Sequence, residues 1–185
     1  MARQELAGHA SSKKSSAPSV ARPQKSSIRR SAFIPSHYEL TLFASIIQGF
    51  DSDHLRIHDF KTGKLYCDHK FGAGVTVNSL DWGYFGHEHQ QDDSDHSPRK
   101  RRKRGNDVRS PPETRDAVIA LGTSSSVIQI FSPAEGKIIG NLGGLHAGGV
   151  RDFKFVQNDC TWGWSIGEDN TMVQWDVKAM QATRY

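Results

Sequence analysis

Three side chains in the last quarter of the chain hold the parts of a nucleophilic triad. Ser165 supplies a hydroxyl, His146 a base and Asp169 a carboxylate able to orient that base. No nucleophile elbow and no Gly-rich oxyanion loop flanks Ser165, which weighs against acyl transfer. A hydrolase built on these three residues stays open as an alternative, and labelling by a serine-directed probe, lost in Ser165→Ala, would support it. A second set, His87, His89 and His96 with Asp92, Asp93 and Asp95, offers atoms that ligate metals, but its spacing matches no strong site. A solvated loop of mixed charge is the simpler reading of it. The glycines of KFGAGV (70–75) and LGGLHAGGV (142–150) resemble phosphate loops, yet neither run ends in Gly-Lys-Ser/Thr or leads into a helix. They read as tight turns.

The other chemistry-bearing residues are cations. Arg99, Lys100, Arg101, Arg102, Lys103 and Arg104 run without interruption, and six consecutive cations exceed ordinary surface composition. The run reads as a nuclear import signal, a nucleic-acid contact, or both. Ser97-Pro98 just before it suits a proline-directed kinase, whose phosphate would oppose either contact. Lys13, Lys14, Arg22, Lys25, Arg29 and Arg30 form a second basic set, with few aromatics between them. They are candidates for RNA phosphate contacts that are salt-sensitive and blind to sequence.

Charge is partitioned along the chain. The 185 residues carry a net +4, yet residues 1–30 alone hold +6 and residues 86–115 hold +2. The remainder is therefore mildly acidic. Both basic segments are rich in Ser, Pro or charge and poor in anything to bury, so a disordered tail (1–31) and a disordered insertion (86–115) are expected. Only 36% of residues are hydrophobic, and no apolar run approaches the ~20 residues of a membrane helix. The N-terminus lacks the apolar core of a signal peptide. Two cysteines, Cys67 and Cys160, make no disulfide scaffold, and their strand-like surroundings read as buried, reduced thiols of an intracellular protein.

The elements that must position these residues are short strands. Ten runs rich in β-branched and aromatic residues, from LTLFASII (40–47) to TMVQWDV (171–177), are separated by Gly, Asp, Ser or Pro. No segment keeps a helical period. Phe33, Trp82, Phe131, Phe153, Phe155 and Trp164 fall in strand patterns and are expected in the core. The runs repeat. His58-Asp59, Phe131-Ser132 and Trp175-Asp176 end equivalent strands, and with the 30-residue insertion removed they recur at 43 and 44 residues. About 40–45 residues and four strands per unit is the β-propeller period.

GLHAGGVRDFKFV…WGWSIGEDNTMVQWDV resembles one WD-repeat unit read end to end. The resemblance implies that His146, Ser165, Asp169 and Trp175 form the hydrogen-bonded tetrad of that family, a structural set and not a catalytic one. The other two units depart from the pattern: Phe131-Ser132 replaces Trp-Asp with Ser124 near the turn, and the first unit keeps only Asp59, with Asp51 or Asp53 at its turn. Residues 25–180 as a whole resemble fungal nucleolar WD-repeat proteins, nearest the fifth U3-associated (Utp-five) type of the UTP-A, or t-UTP, complex. That implies an all-β, WD40-type β-propeller over 32–185, incomplete at about three blades. It further implies a non-catalytic scaffold in the nucleolus, within the small-subunit processome, supporting pre-rRNA processing and 18S rRNA maturation. The implied partners are other WD-repeat UTP-A subunits and the 5′ external transcribed spacer of pre-rRNA; no cofactor, metal, membrane or small-molecule substrate is expected. A WD-repeat adaptor in a chromatin complex or ubiquitin ligase is the alternative. Propellers close with about 4–8 blades, so three units read as a piece of a larger ring or as a part completed by a partner.

Overall fold

Residues 26–85, 114–156 and 159–184 are described by the computed structural model. They hold three four-stranded antiparallel sheets, each built from four consecutive strands. The first contains β1 (Ser27–Phe33), β2 (Leu42–Gln48), β3 (Asp53–Asp59) and β4 (Leu65–Lys70). The second contains β5 (Val77–Tyr84), β6 (Ala117–Thr123), β7 (Ile128–Ser132) and β8 (Lys137–Leu142). The third contains β9 (Val150–Val156), β10 (Asp159–Gly167), β11 (Met172–Asp176) and β12 (Gln181–Arg184). The helical content among the described residues is two 3-10 turns, Ser36–Tyr38 and Thr114–Asp116. The insertion leaves after β5 and re-enters before β6, where the Phe85 N–H donates to the Asp116 carbonyl at 2.8 Å.

The repeat is visible in the backbone turn by turn. At the end of each third strand a side-chain oxygen caps the following turn by accepting the N–H three residues on: Asp59 from Thr62 (3.2 Å), Ser132 from Glu135 (3.3 Å) and Asp176 from Ala179 (2.7 Å). The residue four places after each cap is left-handed: Gly63, Gly136 and Met180, with φ of 69°, 65° and 55°. Two of the three are glycine, which takes that conformation without steric cost. Pairing with the fourth strand slips just before each strand end, at Ile57/His58, Ile130/Phe131 and Gln174/Trp175. A reciprocal pair also recurs, its second members Ser124 and Glu168 being 44 residues apart. The N–H of Ser124 binds the Thr76 carbonyl while its hydroxyl accepts the Thr76 N–H; Glu168 does the same with Gly149.

Packing explains the composition of each sheet. One cluster of buried residues, including Ile46, Leu55, Ile57, Ile119, Leu121 and Phe131, fills the space between the first and second sheets. Another, including Ile128, Ile130, Phe153, Val173 and Trp175, fills the space between the second and third. The middle sheet is thus covered on both faces, and every residue of β6 is buried. This is why AVIALGT is a continuous small and apolar run, while β3 and β11 alternate. The first strands β1, β5 and β9 lie side by side, laced by polar bonds. The Trp82 indole N–H donates to the Ala32 carbonyl at 3.1 Å, and the Asp53 and Asp81 carboxylates accept the N–H groups of Val77 and Phe155 at 2.8 and 2.9 Å.

Several sequence expectations are corrected here. The tail boundary at residue 31 cuts a strand: residues 27–31 belong to β1 and pair with β2. Arg29 and Arg30 are therefore strand residues. β1 is exposed along almost its whole length, so it carries no apolar alternation to betray it. The four-residue β12 was likewise not read as a strand. The insertion ends by residue 113, since Thr114 and Arg115 lie in a 3-10 turn. Cys67 is half-buried, and only Cys160 is buried. Phe33 is 62% exposed, on the outer face of the first sheet, within 4.7 Å of Phe43 and 5.4 Å of Phe60. Trp164 is half-buried, because Gly163 and Ser165 point into the core instead.

Candidate functional site

Ser165 on β10 is fully buried and sits at the centre of a polar cluster in the third sheet. Its Oγ accepts the Trp175 indole N–H from β11 at 2.7 Å and lies 2.6 Å from His146 Nε2. On the other side of the ring, His146 Nδ1 lies 3.0 Å from Thr171 Oγ1 and 3.3 Å from Asp169 Oδ1. Carboxylates only accept, so Nδ1 carries the ring proton and Nε2 accepts from the Ser165 hydroxyl. Asp169 is satisfied from three directions. The Ala147 N–H donates to Oδ2 at 2.7 Å, and Thr171 donates its N–H (3.1 Å) and hydroxyl (2.8 Å) to Oδ1. The cluster joins the loop before β9 to β10, the β10–β11 turn and β11.

All four residues named from the sequence thus meet in one network. Two members were not named: Thr171 and the Ala147 backbone. Asp169 and Thr171 stand two apart in a tight turn, the spacing of a side chain that hydrogen-bonds its own backbone two residues on, so that signal was available. The order Ser–His–Asp has the connectivity of a proton relay, but Ser165 is fully buried and its oxygen is already held by Trp175. The hydroxyl presents no surface to a reagent. The equivalent places in the middle sheet are taken by Leu121 and Phe131, both fully buried, where apolar packing replaces the polar cluster. In the first sheet they are Ser45 and His58; Ser45 Oγ reaches only the Arg56 carbonyl, at 3.5 Å. The turn acids there act elsewhere: Asp53 reaches across to β5, and the Asp51 carbonyl accepts the Gly74 N–H.

The bonds to Asp169, above all that from Ala147, hold its carboxyl well below the ordinary carboxylate range. The sign of the pH effect follows. The folded state favours the charged form, so this stabilisation is complete above the unfolded value of about 3.9 and is lost as pH falls toward the depressed folded value. Asp81 works in the opposite sense, since burial raises its pKa. Comparing wild type with Asp169→Asn isolates the first effect. The urea midpoint of wild type is expected to fall more steeply than that of the variant as pH drops below about 5, the two converging only in strong acid. Parallel curves would remove Asp169 from the account.

Of the cations, Arg29 and Arg30 are exposed on β1, and Arg30 Nε donates to the Asn78 carbonyl of β5 at 2.8 Å. Lys13, Lys14, Arg22 and Lys25 lie outside the described residues. So do the Arg99–Arg104 run, Ser97 and the His87, His89 and His96 set. Among the described residues no group of three or more His, Cys, Asp or Glu side chains is arranged to hold a metal. No protein-family model matches the chain, and no curated protein matches it.

Proposed function

We propose that the three sheets are neighbouring blades of an incomplete WD40-type β-propeller, and that the protein is a non-catalytic scaffold subunit in small-subunit ribosome assembly. The observation carrying the fold reading is the set of turn caps, left-handed residues and register slips that recurs in all three sheets with the sequence period. The His146–Ser165–Asp169–Trp175 network adds to it as a tie between a loop and two strands. The outer faces are consistent with further blades: Phe33 and Phe60 on one are 62% and 47% exposed, and Ile166 and Met172 on the other 47% and 54%.

The task within that fold rests on the resemblance over residues 25–180 to nucleolar UTP-A subunits. A burial-locked Ser165 supports a non-catalytic role, because a scaffold needs rigid, addressable surfaces and no reactive group. The protein would dock other WD-repeat subunits by its sheet faces and loops, in the nucleolus, with pre-rRNA spacer drawn in by its basic segments. Cross-linking followed by affinity recovery of the full chain tests this. UTP-A subunits and 5′ spacer RNA are the expected catch; histones or a ubiquitin-ligase core in their place would overturn the reading in favour of a different nuclear adaptor.

A further inference from the structure

Where the three first strands run side by side they leave an open cavity of about 340 Å³. Its walls carry three cations drawn from two different sheets: Arg30 of β1, and Arg151 and Lys154 of β9. The middle strand β5 supplies the floor, with Asn78 and Leu80. A chain of hydrogen bonds fixes the spacing of the walls. Arg30 Nε donates to the Asn78 carbonyl at 2.8 Å, and Asn78 Nδ2 donates to the Val150 carbonyl at 3.0 Å, one residue before Arg151. The cationic groups are therefore held apart by the same bonds that hold the sheets together.

Two carboxylates temper that charge without matching it: Asp152, which lines the cavity, and Asp81 beside it. Asp152 on the same wall accepts the N–H of Phe153 at 2.9 Å. Asp81 accepts the Phe155 N–H on one oxygen and pairs with Lys154 at 3.2 Å on the other. Lys154 is thus partly neutralised. Arg151 is exposed and has no hydrogen-bond or ion-pair partner among the described residues. Arg151, a guanidinium with five donors lining the cavity, is matched to phosphate oxygens, while Arg30 on the other wall already spends Nε on the Asn78 carbonyl and Nη1 on the Arg29 carbonyl (3.3 Å) and has only its remaining N–H groups to offer.

We infer that this groove binds the phosphodiester backbone of single-stranded RNA, with Arg151 as the principal contact and the remaining donors of Arg30 as the second. The cavity has room for roughly one nucleotide at a time, too little for a duplex. Arg30 closes a stretch of sequence, residues 1–30, that carries a net +6. In sequence, then, Arg30 adjoins further cations, a composition that favours an extended polyanion over a single ion. The choice of RNA among polyanions rests on the assembly reading proposed above. Contacts of this kind position a strand and do not read its bases.

Fluorescence anisotropy with a short labelled single-stranded RNA, using the full chain, tests the inference. Arg151→Ala is expected to weaken binding about 5- to 10-fold near 0.1 M salt, for every RNA sequence tried, and to lower the slope of log K against log salt by about 0.7. Arg151→Glu should weaken it further, while Lys178→Glu, on an exposed turn of the third sheet, should weaken it less than either. Circular dichroism of each variant guards against loss of fold. If both Arg151 variants bind as wild type does, or if polyglutamate competes as well as unlabelled RNA, the assignment is overturned, the latter result making the groove an acidic-peptide site. The two readings fail separately. Wild type that binds RNA through Arg151 but recovers no UTP-A subunit sinks the scaffold and keeps the groove. Arg151→Glu that recovers those subunits while wild type shows no RNA binding does the reverse.

Discussion

Trp175→Ala is expected to cost about 3–5 kcal/mol of unfolding free energy, measured by urea titration followed by far-UV circular dichroism. Trp175 is 2% exposed and sits among Phe153, Val173 and Val177 in the core between the second and third sheets. Truncation opens a cavity the size of an indole, which the surrounding pleated layers cannot collapse to fill. It also removes the donor that fixes Ser165 Oγ, and with it the geometry of the His146 bond at 2.6 Å. Trp175→Phe separates these effects, because the middle sheet already places Phe131 at the equivalent position. That variant keeps most of the volume and leaves no buried donor unpaired, so a loss of about 1–2 kcal/mol is expected. A loss below about 1 kcal/mol for the alanine variant would mean that the third sheet is not packed as described.

The second large effect is expected at Gly163. A Cβ built there would run into the ring of Phe153, which is itself fully buried. Gly163→Ala should therefore destabilise by about 1–3 kcal/mol through overpacking alone. This is opposite to the gain expected when alanine replaces an unconstrained glycine. The reciprocal change tells the mechanism apart from a general weakening of β10. Shortening the ring with Phe153→Leu should rescue part of the loss, and the double variant should depart from additivity by about 0.5–3 kcal/mol. Strict additivity in the same urea assay would show that the two residues do not compete for the same space.

How far the sequence could be read depended on what each residue must do alone and what it does only in company. Asp59, Ser132 and Asp176 cap turns within three residues of themselves, so their spacing exposed the period before any fold was known. β6 was legible because burial on both faces imposes an unbroken apolar run. β1 was not. Its residues SIRRSAF pair through the backbone with β2 while nearly all their side chains stay exposed, and a strand with almost no buried apolar face looks like a basic tail. Phe33 and Trp164 misled for a related reason: an aromatic residue in a strand marks the strand without marking which face is covered. The polar cluster around Ser165 was found through resemblance to a repeat family, whose four positions do not include Thr171, although the two-residue turn spacing from Asp169 pointed to it. The Arg30–Arg151 groove had no signal at all, since it exists only when first strands 121 residues apart flank a third.

The Ser36–Tyr38 turn connects β1 to β2, yet its last residue leaves its own sheet. Tyr38 stacks on Tyr84 of the second sheet at 4.8 Å, and its hydroxyl meets Cys160 Sγ of the third at 3.0 Å. Repeat arrays in which each unit touches only its neighbours tend to peel from their ends, one module at a time. Here the first and last modules share a contact beside the end of β5 in the middle one. Fraying of either end must break that clasp, which adds its cost to the loss of either outer module. The hydrogen bond of that clasp is worth only about 1 kcal/mol, a modest bias toward the modules opening together that rests on the reach of one tyrosine.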